Sequence, residues 1–71
     1  MYTYYVLRGT TGGQYLSHRV GSTVHTVKKP HQCKWQFRSQ EGAEKLRGEE
    51  GRCAWEVVSW ESQWSVPGAN E

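Results

Sequence analysis

The stretch Tyr2-Thr3-Tyr4-Tyr5-Val6-Leu7-Arg8 decides the fold. Aromatic and β-branched side chains fill a pleated surface well, so this run reads as a strand. Alternation places Tyr2, Tyr4 and Val6 on one face and Thr3, Tyr5 and Leu7 on the other. Both faces are apolar, which fits a strand at the centre of a sheet. Gly9-Thr10-Thr11-Gly12-Gly13 follows as a hairpin loop, because glycine tolerates the positive φ that tight connections need. Gln14 to Val20 (QYLSHRV) reads as the second strand, and Gly21-Ser22 as a two-residue turn. Thr23 to Lys29 (TVHTVKK) reads as a third, polar strand. Its lysines and Pro30 suit a sheet edge, since Lys discourages further pairing and Pro cannot donate to a ladder.

Beyond that hairpin, Lys34 to Phe37 (KWQF) reads as a short strand or an extended lead-in. Trp35 and Phe37 share a face by alternation and could anchor on Leu46. Ser39 has the character of a helix N-cap, and Gln40 to Arg47 (QEGAEKLR) is the one helical stretch. Glu41 and Glu44 come early, while Lys45 and Arg47 come late, which complements the helix dipole. Ala43 and Leu46 form its narrow apolar stripe, and Gly48 is the expected stop. Cys53 to Glu61 (CAWEVVSWE) is the last strand. Strands followed by one helix and a returning strand predict an α+β fold. It comprises a small antiparallel sheet of about four strands with one short helix on one face. A small open β-barrel is the alternative.

At 71 residues the chain holds one domain, predicted over residues 1–66, with residues 67–71 as a flexible tail. Four Trp, four Tyr and one Phe are the large side chains available to stabilise so small a core. That aromatic content argues against disorder. No apolar run reaches the roughly 18 residues of a membrane span, and the N-terminus lacks a basic segment followed by an apolar one. The expectation is therefore a cytoplasmic protein without membrane contact.

The charges are divided along the chain. Residues 1–40 hold Arg8, Arg19, Lys28, Lys29, Lys34 and Arg38, all three histidines and no acid. Residues 41–71 hold all seven glutamates against Lys45, Arg47 and Arg52, so the halves carry +6 and −4. Such a division fits a partner of opposite charge, two halves that face each other within the fold, or a dipolar surface that pairs with another protein or a second copy.

Chemistry is thinly represented. The chain has no Asp, which disfavours calcium loops and Asp-rich metal sites. His18, His25, His31, Cys33 and Cys53 are usable zinc ligands, but not at finger spacings, and neither a metal nor a cofactor is expected. Cys33 and Cys53 could pair, although a reducing compartment argues against it. His31 and Cys33 would share a strand face, the one hint of a nucleophile and base, yet no third group accompanies them. Phosphate-cradling and nucleophile-elbow motifs are missing. The reading is a protein that is not an enzyme.

Two surfaces remain. Lys28, Lys29, Lys34, Trp35 and Arg38 lie in a segment that interleaves cations with aromatics, the combination that binds single-stranded nucleic acid. Trp60 and Trp64 lie near the end of the last strand and just beyond it. With Arg8 and Arg19 they supply the residue types enriched at protein-binding hot spots. A homodimer burying those tryptophans is a third arrangement.

The layout Tyr4-Tyr5-Val6-Leu7, then Gly13-Gln14-Tyr15-Leu16-Ser17, then Trp35 to Leu46, then Trp55-Glu56-Val57-Val58, resembles small accessory proteins encoded by phages and prophages. Gly42 and the basic 18–34 insertion depart from their pattern. The resemblance implies a non-enzymatic protein in the host cytoplasm that occupies or inhibits a host or defence protein, and it transfers no catalytic residue. The alternative is a nucleic-acid-binding module using the basic and aromatic segment. Salt separates the two, since phosphate contacts weaken steeply as salt rises.

Overall fold

A computed structural model describes residues 1–69; Asn70 and Glu71, the end of the expected tail, lie outside the described residues. The elements are β1 (Tyr2–Gly9), β2 (Tyr15–Val20), β3 (Thr23–Val27), a 3-10 turn (Pro30–Gln32), α1 (Gln40–Glu50) and β4 (Trp55–Ser62). The strands form one antiparallel sheet in the order β3-β2-β1-β4. The fold is α+β with an open sheet, not a barrel. β1 lies inside the sheet, as its two apolar faces require, and β3 lies at an edge, as expected, although the lysines and Pro30 that suggested it lie just past the end of the strand.

Directly opposed residues of an antiparallel ladder share a face. Tyr4 opposes Trp60, Val6 opposes Val58 and Arg8 opposes Glu56, which defines one face. Leu7 opposes Val57 on the other. The core is Tyr4, Val6, Leu7, Leu16, Cys33 and Ala43, each buried. The first face is covered by the chain between the 3-10 turn and α1, and by the segment after β4. There the Val66 N–H donates to the Tyr4 hydroxyl at 2.7 Å. The second face is covered by α1, which lies across β1 and β4.

Several boundaries differ from the sequence reading. β3 ends at Val27, because Lys29 leads into the 3-10 turn in which the Cys33 N–H reaches the Pro30 carbonyl. The helix starts where Ser39 predicts, with the Gly42 N–H donating to Ser39 Oγ. It runs past Gly48 to Glu50 and stops at Gly51, whose φ of 125° closes it to L side chains. The last strand starts at Trp55, because Gly51 to Ala54 form a turn joined by the Ala54 N–H to Gly51 carbonyl bond.

The sheet also carries a split that alternation alone does not predict. β1 and β2 are paired only near their connection, where Arg8 opposes Tyr15. Further along, residues 33–37 wedge between them. The Trp35 N–H donates to the Ser17 carbonyl, and Tyr5 and Phe37 exchange both backbone bonds at 2.7 and 3.1 Å. The buried residue of this wedge is Gln36, fully enclosed, while Trp35 and Phe37 are half-buried. The fully enclosed side chain of KWQF is thus the polar one between its two aromatics. The Gln36 amide donates to the Pro30 and Cys33 carbonyls and accepts from the Trp60 indole, so three of its four hydrogen-bonding positions are satisfied inside the protein.

Candidate polyanion-binding surface

The site begins with an irregularity in β2. Leu16 opposes Thr26, but His18 opposes His25, so one extra residue, Ser17, is inserted between them. A bulge of this kind re-aims the side chains that follow it. Without it, His18 would share the face of Leu16 and Arg19 would share the face of Tyr15. With it, Arg19 turns to the helix side and His18 turns to the face of His25. The Arg19 guanidinium then lies 3.1 Å from Glu50, on the last turn of α1. The Glu50 side chain is 4% exposed, and its Oε2 has no aligned hydrogen-bond donor, so charge attraction holds it.

On the opposite face the His18 and His25 rings lie parallel, 4.6 Å apart with 2° between their planes. Ser17 Oγ accepts the Lys34 backbone N–H at 3.0 Å and lies 3.0 Å from His18 Nδ1. A neutral imidazole protonated on Nε2 satisfies this arrangement, with the hydroxyl proton donated to Nδ1. His18 titrates below its usual 6.5, first because partial burial disfavours its charged form, then because of the charges of His25 and Lys34.

The structure sorts the expected site residues. Arg8 is paired with Glu56 at 2.9 Å and Arg19 with Glu50, so both bridge the basic and acidic halves. Trp60 is half-buried, committed to Gln36 and packed 5.5 Å from the Tyr4 ring. Trp64 is 76% exposed and accompanied by exposed Met1 and Tyr2 among the large apolar residues. Lys28, Lys29, Lys34 and Arg38 are exposed and have no carboxylate within ion-pair distance among the described residues. Arg38 leaves the basic stripe, since its guanidinium sits over the Tyr2 ring at 5.8 Å. Trp35 is held by its backbone to Ser17, which brings Lys34 beside His18. Sequence reading treated His18 and His25 only as possible zinc ligands. Their cross-strand stack depends on the bulge, for which β2 carries no glycine or other local signal.

Among the described residues, no three His, Cys, Asp or Glu side chains gather to hold a metal ion. Both cysteines are free. Cys53 is exposed, and Cys33 is buried with its thiol pushed up to about 11 by that burial. Such a thiol stays protonated near neutral pH and is a poor nucleophile. His31 lies against the Trp60 ring edge, 6.4 Å between centroids. A concave region of about 460 Å³ beside α1, lined by Gln40, Glu41, Glu44, Lys45 and Arg52, mixes both charge signs and offers no nucleophile. No helix among the described residues is long and apolar enough to cross a membrane. No family model, curated protein or solved structure matches the chain.

Proposed function

We propose that this protein is a non-enzymatic accessory protein that acts by occupying a nucleic acid, which it meets through Lys28, Lys29 and Lys34. The observation that carries this reading is the uneven compensation of charge. Arg8 and Arg19 are matched by glutamates across the fold, whereas the three lysines have no carboxylate partner among the described residues. Lys34 precedes the half-buried Trp35 in the chain, the pairing of cation and aromatic that single-strand binding uses. The phage-type resemblance is in keeping with a small protein that works by occupancy.

Salt titration tests it. Binding to mixed single- and double-stranded oligonucleotides should weaken steeply between about 50 and 200 mM salt. The log–log slope should be near −0.7 per neutralised phosphate on single strands, or roughly −0.9 on duplexes. No binding at the lower salt would overturn the reading.

A second reading is favoured by Trp64. A tryptophan 76% exposed is the kind of anchor that a host or defence protein, or a second copy of the chain, would bury. Salt should barely change such a contact, and Trp64→Ala should weaken it.

A further inference from the structure

Neither His18 nor His25 belongs to the buried core, and their stacked rings have cationic and hydroxyl neighbours. Both rings lie on the sheet face turned away from α1. The groups that face His18 are His25 from β3, Lys34 from the wedge between the strands, and Ser17 from β2 itself. No carboxylate lies within ion-pair distance of either ring among the described residues. With Nδ1 of His18 engaged by Ser17, its Nε2–H is left without a partner. His25 and the Lys34 ammonium likewise make no hydrogen bond within the described chain. The cluster therefore gathers N–H donors and an ammonium with no carboxylate in ion-pair reach among the described residues. A divalent metal is disfavoured there by the neighbouring ammonium.

Resting on the nucleic-acid reading above, we infer that His18, His25 and Lys34 form a proton-linked phosphate-binding subsite on the sheet face turned away from α1. The rings lie parallel, and partial burial favours the neutral form of His18. A proton taken up by His18 places a positive charge beside the His25 ring, 4.6 Å away, and the Lys34 ammonium, and an anion set against these groups offsets that unfavourable charge. Phosphate and proton binding are then reciprocally coupled: protonation of His18 tightens phosphate binding, and phosphate raises the His18 pKa by the same factor. The depressed titration of His18 sets the ligand-free starting point.

The test follows the imidazole resonances of the wild-type protein by NMR between pH 5 and 8, with inorganic phosphate against chloride at equal ionic strength. Saturating phosphate should raise the His18 titration by about one pH unit over chloride, corresponding to a roughly ten-fold coupling. Lys34→Gln should raise the His18 pKa without phosphate and diminish the response to it. Equal titration in the two salts would overturn the subsite, whatever the protein does with nucleic acid. Oligonucleotide binding is measured in parallel at pH 5.5 and 7.5. Tightening of about five-fold or more at the lower pH, lost in His18→Gln and His25→Gln, supports the subsite. PH-independent binding that still depends on Lys28 and Lys29 counts against the subsite and leaves the broader reading standing. A phosphate response with no oligonucleotide bound at either pH supports the anion site and removes the nucleic-acid reading.

Discussion

The Trp60 indole donates to the Gln36 amide oxygen at 2.8 Å, joining the wedge that splits the sheet to the strand at its far edge. Gln36 is fully buried, so each of its bonds is made away from water. A net hydrogen bond is worth only about 1 kcal/mol, but a buried group left unpaired costs about 1–3 kcal/mol. Gln36→Leu strands the Pro30 and Cys33 carbonyls and the Trp60 N–H together. It should cost at least about 2 kcal/mol in urea unfolding and more than Trp60→Phe. Equal stability of Gln36→Leu and the wild type would remove the wedge as a structural element.

The bulge at Ser17 makes a second expectation. It aims Arg19 at the nearly buried carboxylate of Glu50. Arg19→Met should destabilise by about 1–3 kcal/mol, because Glu50 loses the charge that offsets its burial. Adding Glu50→Gln should recover part of the loss. A double-mutant cycle in chemical denaturation measures the coupling, and a value near zero would show that the pair contributes nothing.

The two glycines near the end of α1 should respond with opposite signs. Gly48 lies within the helix, where an added Cβ would come no nearer than 3.9 Å to the Arg52 guanidinium, so Gly48→Ala should stabilise by about 0.5–1 kcal/mol. Gly51 has φ of 125°, so Gly51→Ala should destabilise by about 1 kcal/mol or more. Thermal melts of the two variants decide it.

How far the sequence was legible follows from these cases. The central place of β1, the edge position of β3 and the Ser39 cap all follow from local chemistry, and each is seen in the structure. Gly48 is the expected stop on sequence grounds, but the helix runs through it to a second glycine, Gly51. The last turn carries Glu50 to Arg19, a contact that spans 31 positions in the chain and that no local pattern reveals. Gln36 was hidden for a related reason. Between two aromatics, a polar residue reads as the solvent side of a strand, yet here it supplies the bonds that close a loop. The site was legible in part: the lysines lie in an evident basic run, while the histidine pair depends on a bulge without a sequence marker.

Acidification should destabilise the protein through His18. Its folded pKa lies below 6.5, so between that value and 6.5 the unfolded chain binds more protons than the folded one. The contribution is fully present above about pH 6.5 and is lost as pH falls through the folded value. In phosphate-free buffer the melting temperature should fall more steeply between pH 7 and 5 for the wild type than for His18→Gln. An identical pH dependence in the two proteins would contradict this.

Thiol labelling should separate the cysteines. Exposed Cys53 should react with a thiol reagent at pH 8 in the folded protein. Cys33, buried and with its thiol pushed up to about 11, should react only on unfolding. Two equivalents of rapid reaction would mean that the Cys33 enclosure opens readily.

The most direct test is oligonucleotide affinity at about 50 mM salt, where phosphate contacts are strong, for the wild type, a Lys28→Glu/Lys29→Glu/Lys34→Glu variant and Trp64→Ala. The expected result is binding that the charge reversal abolishes and Trp64→Ala leaves unchanged. Binding that survives the reversal, or no binding by the wild type, would contradict the assignment of the lysine surface to nucleic acid.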